Sequence, residues 1–86
     1  MEEILNKAIE HYGKEHQLGV AQEELSELVT AISHYKRGRE HNVAEEIADV
    51  EIMLSQLKII FNCTDEVEEW KEKKVERLAN RIKHMS

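Results

Sequence analysis

The sequence predicts an all-α protein, a four-helix bundle-type protomer whose core is completed by homo-oligomerisation. Three observations carry this reading. The chain has no proline, only three glycines, and 35% charged beside 41% hydrophobic residues, a balance that favours long helices over sheet or disorder. Apolar residues recur at steps of three and four along four stretches, parted by short polar or glycine-containing breaks. At 86 residues there is room for one small domain, spanning 1–86, and an aromatic content of 5% limits its core. Pairing with a second copy is the natural way to enlarge such a core.

The first helix is expected over Glu2 to Tyr12, where Ile4, Leu5, Ala8, Ile9 and Tyr12 keep helical spacing and Gly13 stops it. Residues 14–19 read as a connector or an irregular start to the next helix. The second helix is expected over Val20 to Arg37, with Leu18, Leu25, Leu28, Val29, Ile32 and Tyr35 as its apolar stripe. Gly38 after Lys36 and Arg37 is its stop. Asn42, with Glu45 three residues on, reads as an N-cap and capping box for a third helix reaching Asn62. Its expected inward seam is Val43, Ile47, Val50, Leu54, Leu57 and Phe61, flanked by Met53 and Ile60. Thr64 caps a fourth helix that runs to Lys83, with Asp65 and Glu66 favouring its start.

Composition excludes several function classes. No stretch approaches the ~18 uninterrupted apolar residues of a membrane span. The acidic start Met1-Glu2-Glu3 is unlike a signal peptide, and the single Cys63 suits a reducing compartment, so a cytoplasmic protein with no membrane partner is expected. A net charge of −6 argues against nucleic acid as partner. The cations that exist are clustered, at Lys36, Arg37 and Arg39 and again from Lys71 to Lys83, which suits a small phosphorylated ligand.

The chemistry lies in two acid pairs set beside apolar stripes, Glu24 with Glu27 and Glu46 with Asp49. Residues three apart share a helix face, so two adjacent helices bring four carboxylates together. Such a cluster repels itself, and desolvation adds to the cost unless a divalent cation holds it. Magnesium takes hard oxygen ligands and shares its shell with substrate phosphates. No histidine stands at the i+3 positions, against the Glu-x-x-His pattern of di-iron sites. The plain alternative is a solvated acidic face, since Glu-x-x-Glu is common on helices.

The pattern Glu23-Glu24-x-x-Glu27, a spacer, then Glu46-x-x-Asp49 resembles the signature of the MazG-like all-alpha nucleoside triphosphate pyrophosphohydrolases. The runs Gln22-Glu23-Glu24-Leu25-Ser26-Glu27-Leu28 and Glu45-Glu46-Ile47-Ala48-Asp49-Val50 resemble that family's helix cores. Tyr12-Gly13 with Gln17, and Lys74-Val75-Glu76-Arg77-Leu78, extend the resemblance over most of 12–82, most densely from 22 to 57. It implies a bundle completed as a homodimer or homotetramer. It implies an enzyme that uses water to split a nucleoside triphosphate, deoxy or ribo, into the monophosphate and pyrophosphate. Magnesium, or manganese in its place, would be held by Glu24, Glu27, Glu46 and Asp49, which are thereby also the catalytic set. Glu23 and Glu45 match acidic positions but by helical phase are supporting or outward-facing. Glu27, farthest from the apolar seam, is the preferred proton acceptor.

Substrate contacts are expected from Gln17, which could read a base edge, and from Lys74, Arg77 and Arg81, at i, i+3 and i+7 on one face. Ordinary ion pairing on a solvated helix is the competing reading of those cations. Tyr35 and Trp70 could stack on a base, although core or interface is the commoner fate of such residues. Two rivals to the enzyme stand: a non-catalytic helical oligomeric interaction module, and a metal-dependent phosphohydrolase that cuts elsewhere along the phosphate chain.

Overall fold

Four helices do form, and their ends follow from local chemistry. In a computed structural model describing residues 1–85, α1 spans Glu2–Tyr12, α2 Lys14–Lys36, α3 Val43–Ile60 and α4 Thr64–Met85. Gly13 alone separates α1 from α2, serving as C-cap of one and N-cap of the next at φ 93°, ψ 149°. That backbone region is open essentially to glycine only. Residues 14–19, expected as a connector or an irregular start to the next helix, are therefore part of α2. One glycine turns the chain sharply enough that no further linker is needed, and Gly19 sits inside the helix.

α2 ends in a Schellman motif, with Gly38 in the left-handed region at φ 72°. Its N–H bonds the carbonyl of Tyr35 and the next N–H, of Arg39, bonds that of His34. α3 ends the same way two residues earlier than expected, with Asn62 at φ 50° and Cys63 N–H returning to Lys58. Asn62 is the residue type that replaces glycine there at least cost. Thr64 lies inside the first turn of α4 rather than before it.

α2 and α3 form the most extensive helix pair, and α1 lies against both. The pair is antiparallel, as Gln17 meets Gln56 at one end while Glu24 meets Glu46 farther along. The seam between them is the expected one only in part, at Val50 and Met53. Gln17, Ala21 and Ala31 of α2 are buried against Glu46, Val50, Met53 and Gln56 of α3, and α1 adds Leu5. Of the expected stripes, Val50 and its flank Met53 are buried and Leu18, Leu28, Val43, Leu57 and Ile60 are half-buried. Leu25, Val29, Ile32 and Tyr35 on α2, and Ile47, Leu54 and Phe61 on α3, are exposed. On α2 the small side chains of Ala21 and Ala31 take the buried positions, while the bulkier Leu25, Val29 and Ile32, each a fraction of a turn round, stay open.

α4 stands apart. It buries no residue, and by backbone approach it neighbours only α3, around the junction where Val67 and Lys71 face Leu54, Leu57 and Phe61. Trp70, Val75, Leu78 and Ile82 are exposed along it. The radius of gyration is 16.1 Å, against about 12 Å for a compact chain of this length. No helix among the described residues is long and apolar enough to cross a membrane.

Candidate metal centre

The acids meet across the seam between α2 and α3. Glu24, half-buried, comes one α2 turn before the exposed Glu27, and opposite them α3 presents buried Glu46 and half-buried Asp49. Carboxylate oxygens of Glu24, Glu27 and Glu46 lie within 4.8 Å of one another, and so do those of Glu45, Glu46 and Asp49. Glu46 belongs to both sets and is the hub. Around an octahedral cation with ~2.1 Å bonds, ligand oxygens stand about 3 to 4 Å apart, so small side-chain adjustments suffice.

Two oxygens decide the character of the site. Glu24 Oε2 and Glu46 Oε2 are both buried and have no hydrogen-bond partner. Buried polar atoms are nearly always satisfied, and charged ones more strictly still. Burial pushes the Glu24 carboxyl above its ordinary range, with Glu27, Asp49 and Glu46 adding repulsion. Glu46 is raised for the same reasons, burial first and then Glu27 and Asp49. Among the described residues no lysine or arginine forms an ion pair with these acids; exposed Lys71 pairs instead with Glu68, at 3.5 Å. The donor set is all carboxylate oxygen, which fits a hard divalent ion rather than a soft one.

The four acids singled out by sequence are thus brought together, and two further residues join them. Glu45, expected to support or face outward, has an oxygen within the Glu46–Asp49 set. Asn42 reaches into the cluster, its Nδ2 donating to Glu46 Oε1 at 2.8 Å. The signal in the sequence was the i, i+4 spacing from Asn42 to Glu46, masked by the equally good cap reading. That cap is not made: α3 has no side-chain cap bond at Asn42.

The expected substrate residues are placed differently. Gln17 is buried; its Nε2 donates to Gln56 Oε1 at 2.8 Å and its Oε1 lies 2.9 Å from His16 Nδ1. It stands seven residues before Glu24, about 10 Å along the same seam. Lys74 and its neighbour Lys73 sit over the Trp70 ring, at 5.8 and 5.2 Å from its centroid. With Arg77 and Arg81 they belong to α4, which approaches α3 at the end opposite Glu46 and Asp49. Within one protomer these cations do not reach the acids. Tyr35 is exposed and packs edge-on against His41, beside the loop that carries Asn42.

An open groove of about 570 Å³ between α3 and α4, lined by Leu54, Leu57, Phe61 and Val67, lies away from the acids and is mainly apolar. The chain matches no family model, and comparison with curated proteins and with solved structures returns no match.

Proposed function

We infer that this chain is a magnesium-dependent nucleoside triphosphate pyrophosphohydrolase of the MazG-like kind, working in the cytoplasm as a homo-oligomer. The observation that carries the reading is the pair of buried, unpartnered oxygens, Glu24 Oε2 and Glu46 Oε2, inside a cluster of carboxylates. Glu24, Glu27, Glu46 and Asp49 would hold magnesium, or manganese in its place. When bound, that ion supplies charge neutralisation for the triphosphate and polarises its phosphoryl oxygens. The chain's own part is to orient the phosphates along the α2–α3 seam and to take up a proton. Water adds to the α-phosphorus, the bond to the bridging oxygen breaks, and pyrophosphate leaves with that electron pair. The water's proton passes to a carboxylate, for which the exposed Glu27 is best placed.

Oligomerisation is supported by the exposed apolar residues of α2, α3 and α4, which find little cover in the protomer. Lys74, Arg77 and Arg81 then serve the phosphates only from the α4 of a second copy. The same exposed stripes favour the rival reading, an interaction module with inert acids. Product analysis over a panel of ribo- and deoxynucleoside triphosphates, with and without magnesium, separates the two. Monophosphate and pyrophosphate in the magnesium arm are expected. Release of orthophosphate in their place would point to the related phosphohydrolase, and no product from any nucleotide would remove the enzyme reading.

A further inference from the structure

We propose that Asn42 is a positioning residue for the cation site, holding the Glu46 carboxylate rather than capping α3; the inference rests on reading the acids as a cation site. Asn42 occupies the N-cap position, and its carbonyl accepts the first helical bond from Glu46 N–H at 3.0 Å. A capping asparagine turns its side-chain oxygen onto the N–H of the second or third helical residue. Asn42 does not. Its amide runs along the helix start instead, Nδ2 donating to Glu46 Oε1 at 2.8 Å and, more weakly, to Glu45 Oε1 at 3.4 Å. The first helical N–H, of Val43, is directed at His41 Nδ1 at 3.4 Å, so a neighbour takes part of the capping work.

The consequence lies at the other carboxylate oxygen. With Oε1 tied to the amide, the Glu46 group has one orientation, and in it Oε2 is buried and without a partner in the middle of the cluster. Glu46 is shared by both carboxylate sets, so its orientation sets the geometry of the whole centre. An amide suits this task because it is neutral. A lysine or arginine at position 42 would hold the carboxylate equally well but would cancel the charge a cation needs. Ligating carboxylates are commonly held by such hydrogen bonds, and losing the partner typically weakens metal binding by about 10–100-fold.

Serine separates the two roles, because it is as good an N-cap as asparagine but carries no amide to reach Glu46. The test is magnesium titration by calorimetry on wild type, Asn42→Ser and Asn42→Ala, with thermal unfolding of the metal-free proteins. Asn42→Ser is expected to keep the metal-free melting temperature and to bind magnesium at least about 10-fold more weakly. Asn42→Ala is expected to show the same loss of affinity. Wild-type affinity in the serine variant would overturn the positioning role while leaving the cation site standing. Failure of the wild type itself to bind magnesium or manganese would overturn the cation reading, and this inference with it.

Discussion

The exposed face of α4 offers the most direct quantitative test of the assembly. A folded monomer of 10.1 kDa is expected to present about 5,300 Å² of surface, whereas this protomer presents 7112 Å². The excess, roughly 1,800 Å², is about twice what one partner contributes to a standard stable interface. Leu78 lies in the middle of the apolar strip of α4 and is 49% exposed. Replacing it with glutamate touches nothing in the lone protomer, where a surface change typically stays within about 0.5 kcal/mol. In an assembly that covers α4, Leu78→Glu forfeits about half the ~2 kcal/mol of a fully buried leucine. In a two-fold dimer the loss occurs twice, near 2 kcal/mol, and association weakens about 30-fold before any cost of burying the new charge. Sedimentation velocity over a concentration series is the assay. Wild type should sediment as a dimer or tetramer, and the variant should shift toward monomer with its helical content unchanged. A wild type that remains monomeric at high concentration would refute the argument from surface area. So would a variant that assembles as the wild type does.

The seam and the turns supply further tests. Magnesium at ~100 times its dissociation constant should stabilise the protein by about 2.7 kcal/mol. For a domain of this size that is a rise of roughly 10–20 °C in melting temperature, and Glu46→Gln should abolish it. In the metal-free protein Glu24 and Glu46 bind protons more tightly folded than unfolded. The stability this confers is complete below their unfolded value, near 4.5, and is lost as pH rises through the raised folded values. Metal-free melting temperature should therefore fall with pH above that point, with a shallower fall in Glu46→Gln; a rise would contradict the burial of these acids. Gln17→Leu or Gln56→Leu alone leaves a buried amide without its partner and should cost about 1–3 kcal/mol, whereas the double variant should recover most of that loss in a denaturation cycle. Gly13→Ala meets no atom within 4 Å of the added methyl group, so its cost should be purely conformational, about 1–3 kcal/mol in chemical denaturation.

Turn chemistry was the most legible part of the sequence. Gly13 and Gly38 end helices where expected, because left-handed or otherwise glycine-only backbone is needed at each. The start of α2 was not legible, since a polar run containing Gly19 resembles a connector and only the conformation of Gly13 shows that none is required. The clustering of the acids was legible because helical phase puts Glu24 and Glu46 on one side of each helix. What periodicity could not supply was the identity of the covering surface. It ranks stripes by hydrophobicity, so it selected Leu25, Ile32, Ile47, Leu54 and Phe61 as core. The protomer leaves those five exposed and buries, beside the expected Val50 and Met53, a neighbouring row of alanine, amide and carboxylate. Asn42 was ambiguous for a different reason: one residue type serves both a helix cap and a carboxylate, and only side-chain direction distinguishes them.

The make-up of the seam would link the proposed site and the proposed assembly energetically. The buried apolar residues of the protomer are Leu5, Ala21, Ala31, Val50 and Met53, two of them alanines, and no large side chain among the described residues is completely buried. So small a core offsets little of the entropy of ordering the chain, and the seam it shares with Glu24 and Glu46 is one that repels itself. Under the proposed function two events would relieve this: a cation satisfying the acids, and a second copy covering the exposed apolar residues of α2 and α3. Each would bind the folded state only and so would add to its stability by mass action. The helix pair carries acids on its inner seam and apolar rows on its outer face, so ordering it for one ligand prepares it for the other. Chelation should then do more than lower the melting temperature: it should make that temperature depend more steeply on protein concentration. A melting temperature independent of concentration in chelator would show that the protomer is stable alone and that its open stripes serve some other contact.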